Sequence, residues 1–225
     1  MTGLKAKALV LDFGGVISKT LFETHAATEI ALGLPSGTLT WRGPFDPASD
    51  PLWQKMQADE ITERDYWLTR THEVGARVGQ TWTGMSDFLI ASRGDDPDAI
   101  IRPEFLTLLR AARSAGLRTA ILSNELDLFY GPDFRQKLSF LPDIDVIHDA
   151  TYTKILKPDP RAYEGLLVEL GLGAQDCVFV DDQKRNIDGA ERVGLKTVHF
   201  DVMNPGESYA QAAMQLGLTG PLGLK

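Results

Sequence analysis

The sequence predicts an α/β protein, a doubly wound parallel sheet carrying an inserted helical cap. Three observations predict it. Two short apolar runs, Ala8-Leu9-Val10-Leu11 and Cys177-Val178-Phe179-Val180, each end in aspartate, at Asp12 and Asp181-Asp182. Such runs read as strands buried on both faces, the form parallel strands take. From Arg102 onward helical and strand patterns alternate, the rhythm of βαβ units. Between the first strand and that rhythm lies a long stretch of helical periodicity that holds all four tryptophans and no convincing buried strand.

The elements follow in order. The first strand is expected over about 6–12. Residues 18–94 are expected to form the cap, and 1–17 with 95–225 the core. Within the cap, Pro35, Gly37, Gly43, Pro44, Pro47 and Pro51 mark a turn-rich segment. Thr62 and Asp65 make a capping-box pattern, and Trp67, Thr71, Val74 and Val78 then share one helical face. Residues 93–97 read as a hinge. A helix is expected over 103–115 with a stripe of Phe105, Leu106, Leu108, Leu109 and Ala112, stopped by Gly116. Strands follow at 117–122 and 144–147. Asp159-Pro160 opens a helix with an N-cap aspartate and a first-turn proline, and its stripe is Tyr163, Leu166, Leu167 and Leu170. A strand at 177–180, a helix at 186–193 ended by Gly194, and a strand at 196–200 complete the core.

Composition narrows the function. The chain has 225 residues, 43% apolar and 24% charged, with a net charge of −8 and no charge blocks. A nucleic-acid surface would be basic, so none is expected. A phosphorylated substrate stays compatible, because a local cation reverses the field in one cleft. The single cysteine, Cys177, sits inside an apolar strand and reads as a small buried side chain. No intrachain disulfide is possible, which fits a reducing compartment. Residues 1–7 lack a signal-peptide pattern, and no apolar run reaches membrane-spanning length. The expectation is a cytoplasmic protein with no membrane partner and an open oligomeric state.

Polar residues fall in order at or just beyond the strand ends: Asp12, Ser123, Lys157 and Asp181-Asp182. Those ends face the crevice where parallel sheets bind ligands. If Asp12 and Asp182 converge, their repulsion calls for a cation, and Mg2+ prefers carboxylate, carbonyl and water oxygens. A carboxylate can attack phosphorus, and a hydroxyl and an ammonium can hold phosphoryl oxygens as charge redistributes. Lys157 precedes Pro158, which favours an extended loop over a helix. Gly14-Gly15 continues into neither a Gly-x-Gly-x-x-Gly pattern nor a phosphate loop of the Walker A type.

The motifs Asp12-Phe13-Gly14-Gly15-Val16, Leu122-Ser123-Asn124, Lys157-Pro158-Asp159-Pro160 and Val180-Asp181-Asp182-Gln183-Lys184-Arg185-Asn186 together resemble those of haloacid dehalogenase superfamily hydrolases. The subclass resembled carries a helical cap after its first motif, and the pattern is most similar to sugar-phosphatase-like members and to the phosphatase domain of soluble epoxide hydrolases. The resemblance implies a Rossmann-like core, Mg2+ and an aspartyl-enzyme intermediate. It gives Asp12 the nucleophile's role. It gives the metal to Asp12, the Gly14 carbonyl and Asp182, with Asp181 and Asn186 supporting. Ser123 and Lys157 would bind the transferring group, with Asn124 beside them. Asp181 could equally serve a backbone amide.

One departure matters. Phosphatases of this kind usually carry an acid/base aspartate where this chain has Gly14. His25 is a candidate substitute, whereas His72, His148 and His199 show no pairing pattern. The leading expectation is a Mg2+-dependent phosphatase of a small phosphorylated metabolite. The alternatives are a 2-haloacid dehalogenase and a phosphate-binding or sensing protein with weak turnover. The aromatics Phe22, Trp41, Trp53, Tyr66, Trp67 and Trp82 are expected mainly to pack the cap.

Overall fold

A computed structural model describes residues 6–93, 97–131 and 133–218. The segments 94–96 and 219–225, on the first of which part of the expected hinge falls, lie outside the described residues.

The chain divides into two compact units. The α/β unit comprises 6–19, 101–126 and 138–218. Its sheet has five parallel strands: β1 (Ala8–Leu11), β2 (Arg118–Ser123), β3 (Val146–Asp149), β4 (Cys177–Asp181) and β5 (Lys196–His199). Their order is β3-β2-β1-β4-β5. The doubly wound parallel sheet that the sequence predicts is therefore present, with helices on both faces. β1 lies at the centre and is fully buried, which explains its unbroken apolar run. Ala8 and Val10 join Tyr163, Leu166, Leu170, Ile187 and Ala190, from helices Pro160–Leu170 and Lys184–Val193, in one core cluster. Strand alternation turns Leu9 and Leu11 to the opposite face. Helix Pro103–Ser114 packs there against β2 and against Pro205–Gln215, a helix no sequence signal had suggested.

The chain builds outward from β1 in two directions, to β2 and β3 on one side and to β4 and β5 on the other. That reversal makes a topological switch point at the carboxyl ends of β1 and β4, where such sheets open a crevice. Leu11 is in register with Ile121 and Val180, so the residues following all three strands come to one edge of the sheet.

The helical unit comprises 20–93 and 97–100, together with 127–131 and 133–137 from beyond β2. The segment from beyond β2 lies outside the expected 18–94 insertion. Helix Glu63–Arg77 starts with the expected capping box, Thr62 accepting from the Asp65 N–H while Asp65 accepts from the Thr62 N–H. Trp67, Thr71 and Val74 of the expected stripe are buried. Phe22 is the hub of the aromatic core, edge-on to Trp41 and Trp53 at 5.5 and 5.3 Å. Tyr66 and Trp67 meet at 4.9 Å, and Trp82 stacks on Phe88.

Candidate active site

The site is assembled at the sheet edge within the α/β unit. The Asp12 N–H donates to the Val180 carbonyl at 2.9 Å, carrying the β1–β4 pairing one residue beyond the strand. The chain then turns through Gly14 (φ −69°, ψ 126°) and Gly15 (φ 79°, ψ −30°). These angles make a type II turn, whose third position needs the positive φ that glycine adopts without strain. Remote residues brace the turn. Arg102 Nε donates to the Gly15 carbonyl at 3.0 Å, and the Tyr209 hydroxyl donates to the Val16 carbonyl.

Lys157 is 4% exposed, and its Nζ lies 2.8 Å from Asp12 Oδ1 and 2.6 Å from Asp181 Oδ2. Burial alone would lower the basicity of this ammonium. The two carboxylates outweigh that effect, and its pKa moves well above the usual lysine range. Lys157 is therefore a fixed positive charge across the physiological range. Its peptide bond to Pro158 is cis. Helix Lys184–Val193 presses on the same loop through Gly189, where a Cβ would fall 2.8 Å from the Pro158 Cβ.

Asp181, fully buried, is saturated. Oδ2 meets Lys157, Oδ1 accepts from the Gln183 N–H at 2.8 Å, and Asn186 Nδ2 reaches both oxygens at 3.1 Å. It thus serves a backbone amide, one of the two roles the sequence left open. The Asn186 carbonyl in turn accepts from the Tyr163 hydroxyl at 2.7 Å. The Asp182 carbonyl sits 3.1 Å from His199 Nε2. Ser123 closes β2, in register with Asp149 and buried at the same edge. Asn124 follows it. Expected beside the substrate, Asn124 engages the Lys157 backbone through its amide: Oδ1 accepts from the N–H at 2.7 Å and Nδ2 donates to the carbonyl at 3.2 Å.

Asp12, Asp181 and Asp182 offer carboxylate oxygens that all lie within 4.8 Å of one another. Two of the three, Asp12 and Asp181, share the Lys157 ammonium. Asn186 Oδ1 is buried with no protein partner, one further oxygen acceptor beside Asp181. An all-oxygen, acidic donor set fits a hard divalent cation such as Mg2+. Asp12 and Asp182, with the Gly14 carbonyl, would hold it, while Asp181 and Asn186 orient the surroundings.

His25, the candidate acid/base substitute, packs in the helical unit edge-on to Trp41 at 4.3 Å, and neither ring nitrogen has a hydrogen-bond partner. Burial first, then Arg42, pushes its pKa down to about 4, so it is neutral near pH 7. His148, for which no pairing was expected, sits 2.7 Å from Glu169. Burial lifts the Cys177 thiol to about 11, in keeping with an inert core residue. The bracing residues Arg102 and Tyr209 went unrecognised in the sequence, since nothing local ties them to a turn so far away along the chain.

A parallel sheet with acidic residues at its switch point, a buried lysine between two of them and a separate helical unit is the arrangement of a hydrolase with an α/β core and a helical insert. The family model for haloacid dehalogenase-like hydrolases matches residues 6–194, and the chain belongs to that family. Phosphatase MT3486 of Mycobacterium tuberculosis is 29% identical over 204 residues, covering 88% of this chain and 88% of that protein. The mouse protein acyl-CoA dehydrogenase family member 10 is 27% identical over 205 residues; the match covers 88% of this chain but only 18% of that much longer protein. The L-2-haloacid dehalogenase of Xanthobacter autotrophicus shares the fold, with a TM-score of 0.55 at 21% identity over 87% of this chain and 77% of that one. Among the described residues, no helix is long and apolar enough to cross a membrane.

Proposed function

We propose that the protein is a Mg2+-dependent phosphatase that hydrolyses a small phosphorylated metabolite through an aspartyl-phosphate at Asp12. The observation that carries this reading is the convergence of three carboxylates within 4.8 Å of one another, two of them, Asp12 and Asp181, paired with the buried Lys157 ammonium. Asp12 attacks phosphorus, displacing the alcohol or other leaving group, and water then cleaves the acyl phosphate to regenerate the carboxylate. Lys157 holds Asp12 in place and offers fixed positive charge to the phosphoryl oxygens, with the Ser123 hydroxyl as a further donor. Bound Mg2+ would supply charge neutralisation between nucleophile and phosphate. Asp181 keeps Lys157 aligned through its own saturated contacts.

The test is hydrolysis of p-nitrophenyl phosphate with Mg2+, abolished by chelation and by Asp12→Asn. Absence of turnover across a panel of sugar phosphates and nucleotides would remove the enzyme reading. Phosphate-mimic binding without turnover would then favour a sensing role. A second enzyme reading, 2-haloacid dehalogenation, has the fold likeness to the Xanthobacter enzyme behind it. In it Asp12 attacks carbon and needs no metal. Chloride release from 2-chloropropionate without Mg2+ would establish that alternative, which the acidic triad disfavours.

A further inference from the structure

We infer that Asn124 is a positioning residue, acting through Lys157 instead of touching substrate. The reactive end of Lys157 is placed by a flexible four-carbon stem, so its aim depends on where its backbone is anchored. That backbone sits on a loop ahead of Pro158, which has no N–H to donate. Asn124, 33 positions earlier in the chain and directly beyond β2, takes both polar groups of the Lys157 peptide backbone. Only one orientation of the amide satisfies both bonds, with Oδ1 on the N–H at 2.7 Å and Nδ2 on the carbonyl at 3.2 Å. The pair ties the lysine loop to the end of β2, which lies beside β1 and so beside Asp12. Lys157 Nζ can then meet Asp12 and Asp181 together, at 2.8 and 2.6 Å. Gly189 closes the other side of the loop against Pro158. Asn124 thus converts the strand frame into an address for one ammonium.

The inference rests on the phosphatase reading for its kinetic readout and on geometry for its structural one. Asn124→Ala removes both bonds, while Asn124→Asp keeps the acceptor for the Lys157 N–H. With p-nitrophenyl phosphate and Mg2+, Asn124→Ala is expected to lower kcat by about 10²-fold, the scale of a misplaced catalytic group, with little change in KM. Asn124→Asp is expected to recover part of that loss. In the crystal structure of Asn124→Ala, Lys157 Nζ is expected to leave hydrogen-bond distance of Asp12 or Asp181. If Asn124→Ala does not fold, Asn124→Asp carries both measurements, with a smaller kcat loss and a shifted Lys157 carbonyl expected. An ammonium unmoved in Asn124→Ala, or a carbonyl unmoved where Asn124→Asp stands in, would overturn the inference whatever the rate. So would displacement with unchanged kcat. If the wild-type protein hydrolyses no phosphate ester, the proposed function fails, while the crystal structures still decide whether Asn124 places Lys157.

Discussion

Each unit of this molecule buries a positive side chain between acids, and the two do so for different ends. In the helical unit, Asp50 is fully buried. It accepts from Arg70 at 2.6 Å, from the Tyr66 hydroxyl at 2.7 Å, and from the backbone N–H groups of Trp53 and Gly43. Arg70 also meets Glu73 and lies over the Trp41 and Tyr66 rings. Burial, and then Asp50, pushes the Tyr66 hydroxyl's pKa far above its ordinary value. The network ties a helix start, a helix middle and an aromatic cluster together. In the α/β unit, Lys157 is held as firmly, but its partner Asp12 stands at the crevice edge of the sheet and keeps 14% of its side chain exposed. The chemistry of burial is the same in both. What separates a structural pair from a candidate reactive one is whether a member stands where a ligand can reach it.

That contrast can be broken experimentally. The largest effect is expected at Asp12. Asp12→Asn should lower p-nitrophenyl phosphate turnover by about 10³-fold or more while the protein stays folded, as checked by kinetics and a melting curve. Asp50→Ala should do the reverse. It leaves the buried guanidinium only its half-exposed partner Glu73 and is expected to destabilise the protein by about 3 kcal/mol in urea unfolding. Equal stability losses from the two substitutions would erase the distinction.

Gly14 sharpens the comparison from the reactive side. Its backbone angles suit any residue, and a Cβ there would meet no atom within 4 Å. Gly14→Asp should therefore fit and add the missing acid/base group. Turnover of phosphate esters with poor leaving groups should rise by about 10²-fold, the lower end of what such a group contributes. An unchanged rate would mean that proton transfer is already supplied.

The smallest effect belongs to His25. Its folded-state pKa of about 4 lies below the ordinary 6.5, so the unfolded chain binds a proton more readily. Stability should be fully present above about pH 6.5 and should fall as pH drops towards 4. The charged groups around it are Arg42 and Arg70, which favour the neutral ring, and Glu29 and Asp50, which oppose them. His25→Gln should flatten this part of the pH–stability curve, read by urea unfolding between pH 4 and 7. An unaltered slope would assign the dependence to other groups.

Much of the α/β frame was legible because a strand buried on both faces must be apolar throughout. β1 and β4 announced themselves in this way, and the aspartates at their carboxyl ends marked the candidate site. The helix starts at Thr62 and Asp159 were legible because caps act over three residues. The helix Pro205–Gln215 was not, and its Tyr209 reaches the turn after β1 from 193 positions away. Nor was the membership of 127–137 in the helical unit, which depends on packing and not on local pattern. His148 with Glu169 and Asn124 with Lys157 are pairings across distant segments, and no spacing rule connects them.

The order of the elements, the residue types at the strand ends and the short-range turn and cap chemistry were determined by the sequence alone, since each is a local preference of the chain. Only the tertiary structure decided that Asp181 is saturated by its own neighbours, that His25 is sealed among aromatics and that Asn124 grips the lysine loop. Those outcomes depend on which polar groups the fold leaves within 3 Å or so of each other. A linear sequence carries no record of such distances until the core has closed.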